Sequence, residues 1–340
     1  MYTQESFCNA VWGTSYIKVE GSYSKDDYKD FNIPKKGGLR KISYLPKGSS
    51  LYNLQRKLLH NFLSKISLPT CVVGFRQNVS YRSFLSPHIG NSFFIRLDIK
   101  DFFPSITDKL IANELGLFLS LSTKEEKDKI VSLVSDIVTR DGSLPQGAST
   151  SPAMSNIVMA RIDQRIIKYC QVFGITYTRY ADDLLFSSSK FDFGEKPWFT
   201  KKIEQILKTN HLQINHSKYK YSRDEISLNG YVISSKDVHL SRKRLSDIRH
   251  VISRMKQNHF ILVTQGEQAF LNTINTLSLY HRDLCKYPFT SLFLLLQYLC
   301  GYRAFLISWI DNSAHTPFQN ELKHLIIRIE KVVKMFYSTN

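Results

Sequence analysis

Apolar residues recur at helical spacing in some parts of the chain and in short continuous runs in others. Between residues 51 and 67 they mark one helix face, at Leu51, Leu54, Leu58, Phe62 and Ile66, which predicts an amphipathic helix. Further helices are predicted at residues 108–139, 151–169 and 197–209, and from about residue 241 onward. Strands are predicted at residues 42–45, 93–99, 176–180, 184–187 and 226–233.

The order of these elements predicts an α+β fold, because strands and helices interleave up to about residue 235 and only helices follow. Residues 1–33 have weak periodicity and are interpreted as an N-terminal extension, followed by a body at 34–235 and a helical region at 236–340. The most apolar stretch, residues 289–310, is interrupted by polar side chains. We expect it to form a buried helical hairpin rather than a membrane span.

The charge of the chain indicates its class of partner. Lysine and arginine number 46 against 29 aspartates and glutamates, a net charge of +17. Such an excess favours a polyanionic partner, with nucleic acid preferred over an anionic membrane surface. The five cysteines include no Cys-x-x-Cys pair, and the first residues lack a basic segment followed by an apolar run. These features predict a cytoplasmic protein without a structural zinc site.

Adjacent carboxylates lie between two strand-like runs, in Tyr180-Ala181-Asp182-Asp183. Like charges this close repel one another, and burial increases the cost. A divalent cation relieves the repulsion, and Mg²⁺ prefers hard oxygen ligands such as carboxylates. Both side chains reach one site only if the chain turns here, because neighbours on a strand point to opposite faces. The alternative is an ordinary exposed turn, in which aspartate is common.

Asp98 favours the metal interpretation, because it ends the apolar run 93–99. A carboxylate at the end of a buried strand costs free energy unless it is paired or binds a metal. Three acids from two strand ends can hold two metal ions. One ion would activate a 3′-hydroxyl and the other would neutralise the leaving pyrophosphate.

Residues 34–255 resemble the reverse transcriptases, and within them the retron and defence-associated bacterial group. Five motifs follow the family's order: Asp98 with Phe102-Phe103, the Pro-Gln-Gly-x-x-x-Ser-Pro-x-x-x-Asn pattern at 145–156, Tyr180-Ala181-Asp182-Asp183, residues 212–218, and Leu228-Asn229-Gly230-Tyr231. His88 matches the last position of a retron-like Asn-Ala-x-x-His pattern, whose first two positions are Phe84 and Leu85 here.

The resemblance implies a right-hand polymerase fold, with fingers and palm at 34–235 and a helical thumb at 236–340. It implies RNA-directed DNA synthesis with two Mg²⁺ ions, for which Mn²⁺ can substitute. Asp98 and Asp182 would bind both ions, with Asp183 beside the primer end, and Ile99 would contribute its backbone carbonyl.

Residues at the nucleotide site also follow from the resemblance. Phe103 would exclude ribonucleotides by packing against the 2′ position of the sugar. Lys218 would act as the general acid for pyrophosphate, or it is a surface lysine. The complete set expected to bind substrate is Arg40, Lys41, Phe103, Gln146, Gly147 and Lys218. For Arg40 and Lys41, which would hold the triphosphate, a solvated basic turn is the alternative.

Four basic residues after the predicted palm are expected to bind nucleic acid by phosphate contacts: Arg242, Lys243, Arg244 and Arg249. The expected partners are a structured non-coding RNA template, the RNA/DNA duplex, dNTPs, and an effector protein or a second copy of the chain, in antiviral defence and away from membranes. Two alternatives remain open. An RNA-dependent RNA polymerase would favour a small or polar residue at position 103, and a catalytically silent RNA-binding scaffold would not need the three acids.

Overall fold

The computed structural model describes residues 2–35, 38–277, 288–310 and 316–337. The chain divides into two units. The first unit contains Met1–Ile226 and Ile233–Val238, and the second contains Ser227–Val232 and His239–Asn340. The predicted division into extension, fingers and palm, and thumb stays a prediction.

The first unit mixes helices and strands. In chain order its elements are α1 (Gln4–Trp12), α2 (Tyr16–Glu20), β1 (Lys29–Lys35), β2 (Gly38–Tyr44), α3 (Ser50–Asn61), α4 (Tyr81–Leu85), β3 (Phe93–Asp98), α5 (Phe102–Ser105), α6 (Asp108–Leu115), α7 (Lys124–Val138), α8 (Ser151–Val172), β4 (Thr176–Tyr180), β5 (Asp183–Ser188), α9 (Trp198–Lys208) and β6 (Lys220–Arg223).

The remainder of the described chain is mainly helical. It contains β7 (Glu225–Leu228), β8 (Tyr231–Ser234), β9 (Val238–Leu240), α10 (Arg242–Gln257), α11 (His259–Gln265), α12 (Glu267–Leu277), α13 (Leu292–Ile307) and α14 (Pro317–Tyr337). Strands β7, β8 and β9 form a sheet in that order. The predicted α+β class is confirmed.

A four-stranded sheet with the order β4-β5-β3-β6 carries the predicted strand ends. Its strand pairs are antiparallel, and every residue of β5 is buried. Because both faces of β5 are covered, its apolar residues Leu184, Leu185 and Phe186 are consecutive rather than alternating. The register of β3 and β5 sets Asp98 directly opposite Asp183.

Hydroxyl side chains determine where several helices begin. In α1, α3, α6, α7, α10 and α13 the residue before the helix accepts a hydrogen bond from a backbone N–H of the first turn. Thr123 is such a cap, and together with Gly116 it bounds a break between two helices that the sequence pattern did not predict. Residues 108–139 were predicted as one helix, but α6 ends at Leu115 and α7 begins only after Thr123.

Helix α1, which lies within the predicted N-terminal extension, packs into the first unit, although the sequence suggested no element there. The buried side chains of α1 include Phe7, Val11 and Trp12, and Trp12 Nε1 donates a hydrogen bond to the Leu54 carbonyl at 3.1 Å. The helical periodicity is present, but nine residues are too few for it to stand out from the chain around it.

The apolar stretch 289–310 forms one helix, α13, where a hairpin was predicted. Helix α14 packs against it instead. In the described part of the chain, no helix has the length and apolar character needed to cross a bilayer. Three cysteines are buried and Cys300 is exposed; Cys285 lies outside the described residues.

Candidate active site

Three carboxylates converge where β3 ends and β5 begins. Asp98 is the last residue of β3, and its register partner Asp183 is the first residue of β5. Asp182 lies in the turn before β5, and its carbonyl accepts a hydrogen bond from the Ile99 amide at 2.9 Å. The structure therefore brings together four residues that the sequence assigned to one site.

The turn that presents the two aspartates has an unusual backbone. Ala181 has φ +55°, in the left-handed region that residues other than glycine seldom adopt. Gly74 lies directly against it, since a Cβ on Gly74 would be only 2.6 Å from the Ala181 nitrogen. A glycine at position 74 is thus required for the segment to approach the turn.

Two cations pair with the carboxylates at the strand ends. Asp98 is 2% exposed, and both of its side-chain oxygens accept hydrogen bonds from Lys218 Nζ, at 3.0 and 2.8 Å. Arg96 lies two residues before Asp98 on β3, so the two side chains share a face. Its Nε donates to Asp183 Oδ1 at 2.8 Å. Lys218 therefore belongs to this site.

Asp182 and Asp183 are electrostatically strained. Burial raises the pKa of the Asp182 carboxyl, and the nearby charges of Asp183 and Asp98 raise it further. Burial also raises the pKa of Asp183, although the Arg96 guanidinium lowers it in part. The charged forms of both carboxyls are thus less stable here than in water.

The donor chemistry of this cluster suits Mg²⁺. The donors are hard carboxylate oxygens, and burial together with the charges of Asp183 and Asp98 raises the pKa of Asp182, an effect that a divalent cation would oppose. In the described ranges, no group of three or more His, Cys, Asp or Glu side chains is already arranged to hold one metal ion. Lys218 and Arg96 instead supply the positive charge beside Asp98 and Asp183.

An aromatic strip connects the predicted sugar gate to the turn. Phe103 is partly exposed on α5, with its ring centroid 6.2 Å from that of Phe75. Phe75 in turn lies 6.2 Å from the Tyr180 ring. Phe102 is buried at 4% exposure, as expected of a core aromatic residue. Phe103 therefore presents its ring on the same side as Tyr180 of the turn.

Gln146 and Gly147 contact the β1–β2 hairpin. The Gln146 carbonyl accepts from the Ser43 amide at 2.7 Å. Gly147 has φ +117°, and a Cβ there would be 2.8 Å from the Ser43 carbonyl oxygen. On the same hairpin Arg40 is exposed, whereas Lys41 forms an ion pair with Asp30 at 3.0 Å. These contacts connect the hairpin to the segment before α8.

His88 is a buried structural residue. The Thr178 hydroxyl donates to the Phe84 carbonyl, so its oxygen accepts from His88 Nε2–H at 2.7 Å. His88 Nδ1 is then left to accept from the Ser187 hydroxyl at 2.6 Å. Burial lowers the pKa of His88 to about 3. The imidazole is therefore neutral and fully hydrogen-bonded at neutral pH.

The four basic residues predicted to bind nucleic acid lie on α10, in the second unit. Arg242 and Lys243 are exposed. Arg244 lies over the rings of Tyr231 and Phe305, with 4.9 and 4.7 Å from its guanidinium carbon to the centroids. Arg249 pairs with Glu321. Arg242 and Lys243 are thus the two whose charges face solvent.

Sequence reasoning missed several residues near the turn. A cavity of about 460 Å³ is lined by Phe75 and by the basic side chains of Arg56, His60 and Arg76. The glycine before Phe75 was a signal for a close backbone approach. Arg96 was detectable as a cation on the same strand face as Asp98. Neither signal indicates by itself which other residues it meets.

A carboxylate cluster at the facing ends of two sheet strands, with the partly exposed ring of Phe103 shortly after Asp98, fits the nucleic-acid polymerases as a class. Residues 33–233 match the family described as reverse transcriptase (RNA-dependent DNA polymerase). The Retron Ec86 reverse transcriptase of Escherichia coli is 32% identical over 266 residues, which cover 76% of this chain and 80% of that protein. The Retron Mx65 reverse transcriptase of Myxococcus xanthus is 34% identical over 175 residues, covering 47% of this chain and 40% of that protein.

Among solved structures, telomerase from Candida albicans in complex with the TWJ fragment of telomeric RNA superposes with a TM-score of 0.48. The two are 14% identical, and the match covers 92% of this chain and 64% of that one.

The chain belongs to the reverse transcriptase family, and its relatives place it with the retron reverse transcriptases. It is an RNA-directed DNA polymerase with the right-hand fold, as the sequence motifs predicted.

Proposed function

We propose that the chain synthesises DNA by two-metal catalysis, with Asp98, Asp182 and Asp183 as the acids that hold Mg²⁺, or Mn²⁺ in its place. The observation that carries this proposal is the convergence of the three carboxylates at the facing ends of β3 and β5. The bound ions would lower the pKa of the primer 3′-hydroxyl and neutralise charge on the leaving pyrophosphate.

Arg96 and Lys218 orient the acids and offset part of their negative charge. Arg96 holds the Asp183 side chain by its Nε–H and favours the ionised carboxylate, since the guanidinium lowers the pKa of that carboxyl. Lys218 donates hydrogen bonds to both oxygens of Asp98, and this position beside the acids suits it to act as a general acid toward a departing phosphate oxygen. Ile99, whose amide donates to the Asp182 carbonyl, would contribute its own carbonyl to the metal site.

The incoming nucleotide would lie beside Phe103, whose ring excludes a 2′-hydroxyl and so selects dNTPs. Gln146 and Gly147 would form the surface beneath the new base pair. Arg40, exposed on β2, would bind the triphosphate, with Lys41 beside it. The contact of Gln146 with Ser43 supports this arrangement, since it connects the hairpin to the base-pair surface.

The template is proposed to be a cognate structured non-coding RNA. A cavity lined by Arg56, His60, Arg76 and Phe75 offers cations for phosphates and a ring for base stacking. The exposed Arg242 and Lys243 would add phosphate contacts, with Arg244 and Arg249 supporting them on α10. We further propose, from the family resemblance of its motifs, that the chain acts in anti-phage defence in the cytoplasm, together with an effector protein or a second copy of the chain.

Primer extension tests the catalytic proposal. The double variant Asp182→Asn/Asp183→Asn should lose DNA synthesis on an RNA template with dNTPs and Mg²⁺, while binding the same template–primer as the wild type. Unchanged synthesis would contradict two-metal catalysis by these acids. Efficient extension with NTPs by the wild type would indicate an RNA polymerase, and template binding without synthesis by the wild type would indicate a scaffold.

Sequencing the nucleic acid that copurifies with the protein tests the template proposal. One recurrent structured RNA together with its complementary DNA is expected. An arbitrary mixture of cellular RNA would contradict a cognate template. Phage challenge of cells that express the wild type or the double variant, with the native flanking locus, tests defence. Equal protection by both proteins would show that synthesis is not needed for it.

A further inference from the structure

A buried ion pair lies directly beneath the catalytic turn. The side chains of Arg179 on β4 and Asp163 on α8 are fully buried. Arg179 Nη2 donates to Asp163 Oδ2 at 2.8 Å, and Nε donates to both carboxylate oxygens at 3.0 and 3.1 Å. Tyr177 completes the pair by donating its hydroxyl proton to Asp163 Oδ1 at 2.8 Å.

The remaining guanidinium nitrogen reaches the turn itself. Arg179 Nη1 donates to the Ala181 carbonyl and to Asn156 Oδ1, both at 3.1 Å. Asn156 Nδ2 in turn donates to the Gly74 carbonyl at 2.9 Å. Gly74 lies so close to the turn that a Cβ on it would be 2.6 Å from the Ala181 nitrogen. The network therefore holds the Ala181 carbonyl by a hydrogen bond and also fixes the Gly74 segment, which packs against the Ala181 nitrogen.

The backbone of Arg179 is held as firmly as its side chain. Its amide donates to the Cys71 carbonyl at 2.8 Å, and its carbonyl accepts from the Val73 amide at 2.9 Å. Together these contacts connect α8, the segment before Phe75 and the end of β4. Ala181 has a left-handed backbone, which persists only where its surroundings enforce it.

Arginine suits this position for a geometric reason. Its planar fork can direct two nitrogens at a carboxylate while the third points elsewhere. A lysine ammonium could replace the charge beside Asp163, but its single nitrogen cannot also reach the Ala181 carbonyl in the same geometry. A buried ion pair is in general weak evidence for stability, so its position under the turn calls for another explanation.

We propose that Arg179 is a positioning residue for DNA synthesis. Through the Ala181 carbonyl it fixes the turn that aims Asp182 and Asp183, and Asp163 anchors Arg179 in the orientation that this requires. The inference rests on the proposed function, because it assumes that these two aspartates are catalytic. Arg179 and Asp163 themselves do not touch substrate.

Arg179→Lys separates positioning from folding, because it preserves the buried charge pair. Single-nucleotide primer extension should give a kcat lowered about 100-fold, since displacing reacting groups by about 1 Å costs that much. The KM for the nucleotide should stay unchanged, because no nucleotide contact is removed. Arg161→Met is the matched control. It removes another ion pair of α8, at 2.9 Å to Glu114, and should retain the wild-type kcat.

Hydrogen exchange of the metal-free protein adds a readout independent of catalysis. In Arg179→Lys the amides of residues 180–183 should exchange faster, while those of α8 keep their wild-type rates. A wild-type kcat with wild-type exchange at the turn would overturn the inference. Faster exchange throughout the first unit, together with a lower kcat, would also overturn it by assigning Arg179 a general folding role.

Asp182→Asn assayed in parallel distinguishes the two proposals. If Asp182→Asn keeps full synthesis, the proposed function fails and the inference fails with it. If Asp182→Asn is inactive while Arg179→Lys has the wild-type kcat, the inference alone fails.

Discussion

Two buried polar clusters lie side by side in the first unit and differ in how far their charges are balanced. In the network beneath the turn, Arg179 faces Asp163, and Tyr177 and Asn156 complete the hydrogen bonds. Among the carboxylates above it, like charges face one another and burial raises the pKa of Asp182. One cluster is electrostatically satisfied and the other is strained, although they share the end of β4.

The difference in charge balance indicates different roles: the Arg179–Asp163 network supports the backbone, and the carboxylate cluster is where we propose that the chemistry occurs. A satisfied buried network rigidifies its surroundings and specifies one arrangement. A cluster whose repulsion is relieved only in part, here by Lys218 and Arg96, is unfavourable for the isolated protein but is prepared for a cation, as perturbed carboxyls at functional sites often are. His88, neutral and held between Ser187 and Thr178, belongs with the satisfied group. Substitutions in the two groups should therefore affect different quantities.

The largest effect is expected at Asp98. Asp98→Asn should lower the rate of DNA synthesis by about 1,000-fold, the upper range for removing one preorganised electrostatic group. Its thermal midpoint should stay near that of the wild type, because the released partner Lys218 is half exposed and can be solvated. Primer extension measures the rate of DNA synthesis, and thermal unfolding measures the midpoint. If Asp98→Asn keeps the wild-type rate of synthesis but unfolds at a lower temperature, Asp98 has a structural role like that of Asp163 and not a catalytic one.

A pH-dependent effect is expected at His88. Its folded pKa of about 3 lies below the ordinary value of 6.5. Between these pH values the unfolded chain binds a proton at His88 that the folded protein does not bind. The free energy of unfolding therefore falls as the pH drops from 6.5 toward 3. The wild type should lose about 1.4 kcal/mol per pH unit in this window from His88 alone. Urea unfolding of wild type and His88→Gln at several pH values measures it, and a constant difference between them would contradict the prediction.

A smaller effect on stability alone is expected at Tyr177. Tyr177→Phe removes one hydrogen bond to the buried Asp163 carboxylate and leaves Arg179 in place. The free energy of unfolding should fall by about 1.5–3 kcal/mol, as for hydrogen bonds to charged groups. The rate of synthesis below the unfolding transition should barely change. If Tyr177→Phe lowers the rate of synthesis and leaves the free energy of unfolding unchanged, the Arg179–Asp163 network does not have the purely supporting role described above.

The smallest effect is expected at Phe103, whose ring lies 6.2 Å from that of Phe75. Phe103→Ala should reduce discrimination against ribonucleotides by about tenfold, since contacts of this size contribute about 1–3 kcal/mol to selectivity. Stability should change little, because the ring is partly exposed. Competition between dNTPs and NTPs in primer extension measures the ratio. An unchanged ratio would remove Phe103 from the substrate site.

Much of the site was predictable because its signals are local. A carboxylate at the end of an apolar strand is costly wherever that strand packs, and the motif order around Asp98 and Asp182 identified the family before any contact was known. The break between α6 and α7 and the helix at α1 were missed. Short helices depend on caps and packing more than on periodicity.

The sequence by itself determined the residue types, their order and the placement of carboxylates at strand ends, because periodicity and charge act over a few residues. The tertiary structure decided which partners those residues meet. The pairing of Arg179 with Asp163, of Lys218 with Asp98 and of Gly74 with Ala181 joins residues far apart in the chain. Such pairs form only when packing brings distant segments of the chain together, and the local sequence pattern does not indicate which segments will meet.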